Sequence, residues 1–393
     1  MESAAPSPNA WGTAVQTEST EEPETSIRES GAQEESILEE EPSEPSEPLP
    51  DSLTQVLPAG PIVLADGTAL NSLILGNITY VNLNDLAALY PWINAGSDGA
   101  EAQLQDRDGN PVTIALAGTD GIDLPEVPEG AGIHFAGNQE ETWLPVRATA
   151  ENTGLTLLWD EEQQTVYLAL QPRAQDVASG RSVPVVMYHE VGDDTWGIRE
   201  LFVSPGSLRQ QLEYLRDNGF QPIFFSDLTH LEDYDKPILL TFDDGYSGNY
   251  TELLPLLQEF GMKATVFVIT GMLEWPNYLT AAQVKELSDS GLVDIQSHTA
   301  THPELTELDW AGQEQELRQS RLELARITGK LPYVISYPTG LHNETTLELA
   351  QEYYSFGVQM NGGNWTTGGS YFEIPRLYAS RDTSLSSYSS MIG

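Results

Sequence analysis

The 393-residue chain contains no cysteine and has few basic residues. The absence of cysteine excludes disulfides, thiolate metal sites and thiol nucleophiles. Only 17 lysines and arginines accompany 60 acidic residues, and the formal net charge of −43 excludes a protein that binds nucleic acid by neutralising phosphates. The same charge argues against attachment to anionic lipids. No apolar run approaches the ~18 residues that predict a membrane span.

The amino-terminal part is polar and acidic. The first residues, MESAAP, show neither the basic nor the apolar region of a signal peptide. Residues 1–58 are rich in Glu, Ser, Thr and Pro, and Arg28 is their only basic residue. Such a composition cannot bury enough apolar surface to offset the entropy of ordering, so we predict a disordered segment. It is either a spacer from a cell surface or a solvated tail. We expect that an export or anchor segment has been trimmed and that the protein is extracellular or attached to the cell surface or wall.

Residues 59–171 predict a small α+β accessory domain, followed by a linker over residues 172–182. Short β-like runs alternate with turn signals, and helices are predicted over residues 83–89 and 146–153. Residues 79–87 and 142–150 match each other, which indicates an internal repeat. Residues 143–170 resemble the copper amine oxidase N-terminal-like domain, which accompanies exported bacterial wall enzymes and implies no copper chemistry. We interpret His134, the only histidine here, as structural.

Residues 183–393 alternate between strands and helices, which is typical of a parallel sheet covered by helices. This α/β pattern predicts a barrel whose chemistry lies at the carboxyl ends of the strands. The predicted strands cover residues 183–188, 222–225, 238–242, 264–269, 293–296 and 333–337. The predicted helices cover residues 205–218, 250–260, 281–290, 311–328 and 344–353.

Polar residues follow several of these strands directly. His189 follows the first strand, Asp243 and Asp244 follow residues 238–242, and Ser297 and His298 follow residues 293–296. A carboxylate pair after an apolar strand is costly unless a cation or hydrogen bonds compensate it. One such pair could simply cap a turn, but several polar strand ends on one face indicate a site.

The spacing of His298 and His302 predicts a shared metal site. Residues four apart lie on one side of a helical turn, as two ligands of one metal require. Two histidines and one aspartate suit zinc or another borderline divalent ion with an open position for water and substrate. The other aspartate is then free to act as a base on that water. These residues predict a metal-assisted hydrolase with no nucleophilic side chain.

Two motifs identify the family that this region resembles. Residues 241–246, TFDDGY, and 297–302, SHTATH, closely resemble the first two motifs of the polysaccharide deacetylases, the NodB-homology domain of carbohydrate esterase family four. The resemblance runs from about residue 183 to the carboxyl terminus and implies a distorted (β/α)7-type barrel. It implies Asp243 as the general base and a divalent metal, zinc before cobalt or nickel. The implied metal ligands are Asp244, His298 and His302, and the backbone N–H of Thr339 would help hold the oxyanion.

The chain departs from the family pattern at the general acid. The usual Leu-x-His motif near the carboxyl terminus is missing, but residues 187–191, MYHEV, resemble a subgroup of exopolysaccharide de-N-acetylases with permuted motif order. In that subgroup the acid comes from the first strand, which implies His189 as the proton donor. His342 is the alternative, and His230 is expected on a surface turn.

A second departure concerns the residue that orients the base. Ser336 stands where many members have an arginine, and residues 374–377, IPRL, resemble the subgroup's late motif. Arg376 could therefore contact Asp243 and set its ionisation, or it could form only a structural salt bridge.

Four residues are predicted to bind substrate: Tyr246, Tyr337, Pro338 and Trp365. Trp365 could offer a flat surface to a sugar ring, or it could be a loop residue packed on the barrel.

The leading hypothesis is an exported enzyme that removes acetyl groups from N-acetylated glycans, either peptidoglycan or an exopolysaccharide. An O-acetyl xylan esterase would use the same chemistry. The missing arginine and Leu-x-His motif leave open a non-catalytic glycan-binding wall protein, and a small-molecule amide hydrolase is a third alternative. The expected partner is an extracellular acetylated glycan, not nucleic acid, and a monomer is favoured.

Overall fold

The computed structural model describes residues 61–75, 78–93, 96–97, 101–115 and 142–393. The segment predicted to be disordered, residues 1–58, and His134 lie outside this part of the chain. Among the described residues no helix combines the length and the apolar composition needed to cross a bilayer.

The strands are, in chain order, β1 (Ile62–Ala65), β2 (Thr68–Leu70), β3 (Ser72–Leu75), β4 (Ile78–Asn82), β5 (Gly96–Ser97), β6 (Glu101–Gln105), β7 (Pro111–Ala115), β8 (Trp143–Pro145), β9 (Thr156–Asp160), β10 (Thr165–Ala169), β11 (Ser182–Val183), β12 (Val185–Tyr188), β13 (Glu190–Val191), β14 (Phe202–Val203), β15 (Gln221–Pro222), β16 (Pro237–Phe242), β17 (Ala264–Val268), β18 (Val293–Ser297), β19 (Val334–Ser336), β20 (Phe356–Val358), β21 (Trp365–Thr366) and β22 (Leu377–Tyr378). The α-helices are α1 (Leu83–Leu89), α2 (Val146–Thr153), α3 (Pro205–Asp217), α4 (Leu254–Phe260), α5 (Ala281–Asp289), α6 (Trp310–Thr328), α7 (Glu344–Tyr353) and α8 (Leu385–Ile392). Short 3₁₀ segments cover Ala174–Asp176, Arg199–Leu201, Phe225–Asp233, Thr270–Met272, Leu305–Glu307 and Pro338–Gly340, and a π turn covers Asn249–Leu253.

Strands β1–β10 form three small sheets, which together with α1 and α2 we call the amino-terminal module. Their strand orders are β2-β1-β10-β9, β3-β4-β8 and β5-β6-β7. The matching sequence stretches have matching structures, because β4 leads into α1 and β8 into α2, and β4 pairs antiparallel with β8. The predicted bounds of α1 and α2 are confirmed. The domain boundaries and the resemblance of residues 143–170 stay predictions.

A parallel sheet forms the larger part of the fold. Its order is β20-β19-β18-β17-β16-β12-β22, and β15 pairs with β16 beside this path. An isolated parallel bridge joins Val358, at the end of β20, to Ile374, three residues before β22. This bridge joins β20, at one end of the strand order, to the segment that leads into β22, at the other end, as the closure of a distorted barrel requires. The predicted α/β barrel is confirmed.

The central strands form because they are apolar throughout. Every residue of β12, β16 and β17 is buried, as expected where helices and side chains cover both faces of a parallel sheet. Side chains cap the starts of three helices of the barrel. Ser204, Thr280 and Asn343 each accept a hydrogen bond from the N–H of the third residue after them, so the first turns of α3, α5 and α7 are capped.

Three local predictions were wrong. The strand expected over residues 183–188 is divided at Pro184 into β11, which pairs with β21, and β12, which pairs with β16. The strand expected over residues 222–225 ends at Pro222, because the Asp227 carboxylate accepts a hydrogen bond from Phe224 N–H at 2.9 Å and starts a 3₁₀ segment. The helix expected over residues 250–260 begins as the π turn Asn249–Leu253. Pro255 lies in the second position of α4 and has no N–H to donate to an earlier carbonyl, which favours this irregular start.

The amino-terminal module packs against α6 of the barrel through a buried ion pair. The Arg326 guanidinium donates to the two carboxylate oxygens of Asp160 at 2.7 and 2.8 Å and to Glu162 at 2.8 Å. The Asp160 side chain is only 1% exposed. Gln171 adds a bond from its side-chain N–H to the carbonyl of Pro332, at 3.1 Å.

Replacing Arg326 should therefore destabilise the protein. Arg326→Ala leaves a buried carboxylate without its main partner, so we expect a loss of about 1–3 kcal/mol in the free energy of unfolding. The hydrogen bond from Arg326 lowers the pKa of Asp160. The stabilisation of the fold by the Arg326–Asp160 pair is thus present above about pH 4, and it is lost as the pH falls through the folded-state pKa of Asp160. Urea unfolding followed by tryptophan fluorescence measures both effects.

The matched control is Arg147→Ala, which removes an arginine whose side chain is 71% exposed and whose partner Glu151 lies 4.0 Å away. This change should cost less than ~0.5 kcal/mol. Equal effects of the two substitutions would contradict a stabilising role for the Arg326–Asp160 pair.

Candidate metal centre and active site

The two aspartates lie where β16 ends, at the carboxyl edge of the parallel sheet. Asp243 N–H donates to the carbonyl of Tyr188 on β12 at 2.9 Å, which continues the sheet by one residue. His189 follows that carbonyl, so the ends of β12 and β16 bring His189 and the aspartates to the same edge. The predicted convergence of polar strand ends is present.

Asp244, His298 and His302 form a cluster that could hold a metal ion. One oxygen of Asp244 lies 3.3 Å from His298 Nε2 and 3.8 Å from His302 Nε2. One ligand atom from each residue lies within 4.8 Å of the other two. Asp244 and His298 are buried, but the His302 side chain is 28% exposed, so the cluster opens to solvent on the His302 side.

The donor atoms of the cluster suit a cation. The Nδ1 atom of His298 lies 2.8 Å from the Ser336 carbonyl, which fixes the ring so that Nε2 faces Asp244. Burial alone would raise the pKa of Asp244, but the hydrogen bond with His298 and the nearby His189 hold that pKa well below its ordinary value. Burial and the neighbouring His298 lower the pKa of His302 to about 4, so its imidazole is neutral at pH 7. Burial alone would lower the pKa of His298, but the hydrogen bond with Asp244 raises that pKa, and a cation held between these two residues would take the place of the shared proton. Two imidazole nitrogens and a carboxylate are a donor set that fits a divalent cation.

The histidines are not on a helical turn, and that prediction was wrong. His298 to Glu304 form a loop in which Thr299 and His302 have φ angles of 65° and 58°. Side-chain oxygens stabilise it, because Thr299 N–H donates to Ser297 Oγ at 3.2 Å and His302 N–H to Thr299 Oγ1 at 3.0 Å. These bonds replace the backbone bonds of a helix.

Strained backbone is concentrated at this edge of the barrel. Asp244, Thr299, His302 and Thr339 all have positive φ, between 56° and 72°. Non-glycine residues adopt this region at a cost, and they retain it where surrounding contacts impose it. Here the strain accompanies two of the candidate metal ligands and the residue proposed from the sequence to hold the oxyanion.

Asp243 is paired with Arg376, as the sequence suggested. The guanidinium donates two hydrogen bonds, Nη1 to Oδ1 and Nη2 to Oδ2, each 2.7 Å long. Arg376 is fully buried and Asp243 is 2% exposed. Burial alone would raise the pKa of Asp243, but the Arg376 guanidinium and His298 hold it below its ordinary value. Arg376 also donates to Ser336 Oγ at 3.1 Å, so it occupies the space beside the serine that replaces the usual arginine.

His189 faces the centre, and the other candidate acids do not. Burial lowers the pKa of His189, against the raising effect of Asp244 and Asp243. His342 instead places Nε2 3.2 Å from a carboxylate oxygen of Glu373, and its ring packs 5.1 Å from that of Tyr337. His230 is exposed at a kink in the 3₁₀ segment Phe225–Asp233, which confirms the expected surface position.

Three of the predicted substrate-binding residues, Tyr337, Pro338 and Trp365, are buried away from solvent, which argues against direct contact with a glycan. For Trp365 the burial agrees with the alternative of a residue packed on the barrel. Tyr337 is 1% exposed and donates its hydroxyl hydrogen to the Phe372 carbonyl at 2.9 Å, and Pro338 is buried beside it. They support the turn that leaves Thr339 exposed. Trp365 is 3% exposed because β21 pairs with β11, so Trp365 lies opposite Val183 before the start of β12, away from the edge that carries the two aspartates.

The remaining one, Tyr246, belongs to an aromatic group that the sequence analysis missed. Its ring is 5.1 Å from that of Trp196 and 5.0 Å from that of Tyr278, and its hydroxyl interacts with the Asp244 carboxylate. A lone tryptophan in the polar stretch of residues 192–198 was the only sequence signal for this group.

Glu190 was also missed. It follows His189, is 5% exposed, and accepts a hydrogen bond from Gly248 N–H at 3.1 Å. Burial raises the pKa of Glu190 to about 8, and within the described chain its Oε2 atom has no hydrogen-bond partner. A Cβ on Gly248 would lie 2.3 Å from Glu190 Oε1, so only glycine permits this contact.

The comparisons with known proteins agree with this site. A family model described as polysaccharide deacetylase matches residues 230–355, a range that contains both aspartates, His298, His302 and Thr339. The poly-beta-1,6-N-acetyl-D-glucosamine N-deacetylase of Escherichia coli strain K12 is 31% identical over 134 residues, which are 29% of this chain and 20% of that protein.

Solved structures share the fold. The deacetylase PplD of Streptococcus pyogenes, in complex with acetate, has a TM-score of 0.51 and 25% identity, covering 55% of this chain and 100% of its own. A polysaccharide deacetylase of Bacillus cereus has a TM-score of 0.53 and 23% identity, covering 82% of this chain and 99% of its own. The second similarity concerns the fold alone, and it extends beyond the barrel.

The family itself follows from a longer sequence match. The Bacillus subtilis protein YxkH carries the name of a polysaccharide deacetylase. It is 31% identical over 216 residues, which are 53% of this chain and 76% of that protein. Because this match spans most of that relative and the motif residues meet at one edge of the barrel, the chain belongs to the polysaccharide deacetylase family.

Proposed function

We propose that this protein is a metal-dependent hydrolase that removes acetyl groups from N-acetylated polysaccharide outside the cell. The substrate class is N-acetylglucosamine polymer, either an exopolysaccharide or peptidoglycan. The observation that carries the proposal is the position of Asp243, a buried carboxylate held by Arg376 beside the Asp244–His298–His302 cluster. The poly-N-acetylglucosamine deacetylase named above supports this substrate class.

Zinc is the proposed cation, and cobalt or nickel would suit the same ligands. Two imidazole nitrogens and one carboxylate form a set that zinc prefers, with a position left for water and substrate. When bound, the cation supplies Lewis-acid activation of the attacking water and of the acetyl carbonyl. The partly exposed side of His302 is where substrate would enter.

Asp243 is the proposed general base. Its carboxylate would take a proton from the attacking water. Arg376 keeps Asp243 ionised and fixes both oxygens, so the carboxylate is ready to accept a proton but cannot rotate freely. Arg376 is therefore a positioning residue for the base.

His189 and Thr339 complete the proposed chemistry. His189, in its imidazolium form, would donate a proton to the amine nitrogen as the amide bond breaks and would become neutral, since an unprotonated amine anion is a poor leaving group. The backbone N–H of Thr339 would donate to the oxygen that becomes negatively charged. Two features of Thr339 support this role. It has a positive φ, and it is the exposed residue of the turn Pro338–Gly340, so its backbone lies where a substrate could approach.

Acetate release tests the function. The zinc-loaded protein should release acetate from poly-N-acetylglucosamine, chitooligosaccharides or peptidoglycan, and Asp243→Asn should lower that rate by about 10²–10⁴-fold because no base remains. The metal content of the variant is the control, because Asp243 is outside the ligand cluster and the metal should stay bound.

Other outcomes distinguish the alternatives. Faster release from acetylated xylan would favour an O-acetyl esterase. Glycan binding without acetate release from any substrate, with zinc or cobalt supplied, would contradict the proposed function and favour a non-catalytic wall protein.

Removal of the metal should abolish activity reversibly. Dialysis against a chelator should remove the ion, and added zinc should restore both bound metal and acetate release. His302→Gln should lower the bound zinc, measured by elemental analysis, well below the ~1 ion per chain expected of the wild type. His342→Gln is the matched control and should bind zinc normally. Full activity in the metal-free protein would refute the metal site.

The effect of replacing His189 on kcat should depend on the leaving group of the substrate. His189→Gln should lower kcat for an N-acetylated oligosaccharide by about 10²-fold or more, since the amine requires a proton. The same variant should hydrolyse p-nitrophenyl acetate nearly as fast as the wild type, because p-nitrophenolate leaves without a proton. Steady-state kinetics on both substrates make the comparison. Equal losses on both substrates, or a larger loss in His342→Gln, would contradict the assignment.

A further inference from the structure

An aromatic cluster lies beside the candidate metal centre. It consists of Trp196, Phe202, Tyr246 and Tyr278. Trp196 meets Phe202 and Tyr246 edge to face, with centroid distances of 5.4 and 5.1 Å and interplanar angles of 84° and 80°. Tyr278 lies 6.3 Å from Trp196 and 5.0 Å from Tyr246. The cluster is a packed group of rings, not a single side chain in solvent.

Trp196 remains 44% exposed despite these contacts. Phe202 and Tyr246 are buried at 2% and 8%, so the cluster has a buried base and one exposed ring. Trp196 therefore keeps apolar surface open to solvent above a buried base of aromatic rings. Single exposed apolar residues are ordinary, so the position of this one decides its meaning.

The cluster is fixed to the loop that carries both aspartates. Tyr246 lies two residues after Asp244 and forms an antiparallel bridge with Tyr278. Ser247 N–H donates to Asn277 O at 2.8 Å, and Leu279 N–H donates to Gly245 O at 2.9 Å. The Tyr246 hydroxyl interacts with Asp244, so Trp196 is separated from a candidate metal ligand by one aromatic ring.

The segment that carries Trp196 is anchored on both sides of it. Arg381 donates to the carbonyls of Gly192 and Asp193, at 3.3 and 3.0 Å. Arg199 forms two hydrogen bonds with the Asp382 carboxylate, at 2.8 and 2.9 Å. Anchors before and after Trp196 place the ring before any ligand binds, which reduces the entropy lost on binding.

We propose that Trp196 stacks on a pyranose ring of the glycan, adjacent to the sugar whose acetyl group is removed. This assignment rests on the proposed function and names the residue that selects a polymer over a small acetyl compound. The face of a pyranose ring presents C–H groups, and these pack on an indole face without requiring any polar group to lose its hydrogen bonds. A stacking site one sugar away would bind oligosaccharides and would not contact a small acetyl ester.

The test compares two substrates in the zinc-loaded, full-length protein. For an N-acetylglucosamine pentasaccharide, Trp196→Ala should raise KM by about 3- to 10-fold and Trp196→Phe by less, because phenylalanine keeps a flat ring. For p-nitrophenyl acetate, which is too small to reach Trp196, both variants should match the wild type. Zinc content should also be unchanged, since a merely structural role acting through Tyr246 and Asp244 would alter it.

Ile198→Ala is the matched control. Ile198 lies in the same loop and is 66% exposed, so this change removes exposed apolar surface without touching the ring cluster. It should leave KM for the pentasaccharide unchanged. An equal effect of Ile198→Ala, or an unchanged KM in Trp196→Ala, would overturn the stacking assignment. If the wild type releases no acetate from the pentasaccharide, the proposed function fails, whereas failure of the stacking assignment alone leaves wild-type turnover intact.

Discussion

The buried ion pair between Arg376 and Asp243 is the interaction on which the candidate site depends. It joins the segment before β22 to the end of β16, and Ser336 at the end of β19 takes part through its hydroxyl. Neither charge reaches solvent, so each compensates the desolvation of the other. Loss of one partner from such a pair typically costs about 3–5 kcal/mol, because the remaining charge is buried alone. Burial and pairing also make Asp243 an ionised and immobile carboxylate, which is what a positioned base requires.

The candidate metal cluster depends on backbone geometry more than on any one contact. Asp244 and His302 have positive φ, and His298 is oriented by a backbone carbonyl from the neighbouring strand β19. The ligands are thus placed by strand ends and by strained loops that side-chain hydrogen bonds hold in shape. The barrel stabilises the fold, and the strained loops at its edge orient the side chains of the candidate metal ligands.

The sequence predicted most of the barrel and the identity of the central residues. Continuous apolar strands, capped helices and polar strand ends are local signals, and they correctly predicted β16, β17, α5 and α7 to within about one residue. The loop conformation at Thr299 and His302 was not predictable, because spacing alone cannot distinguish a helical turn from a loop with positive φ. The strand order and the short strands β20–β22 depend on pairing between distant segments. Trp365 illustrates the same limit, because its burial depends on β11, about 180 residues earlier.

The adjacency of β12 and β22 has a consequence for protein synthesis. These two strands are neighbours in the sheet although one opens the barrel region and the other lies close to its end. During synthesis the ribosome adds Asp243 well over a hundred residues before it adds Arg376. Until then the carboxylate at the end of β16 lacks its guanidinium partner, and a barrel packed around it would contain an uncompensated charge. The candidate site consequently cannot be completed before residue 376 has been added, and a chain interrupted earlier would lack a finished site.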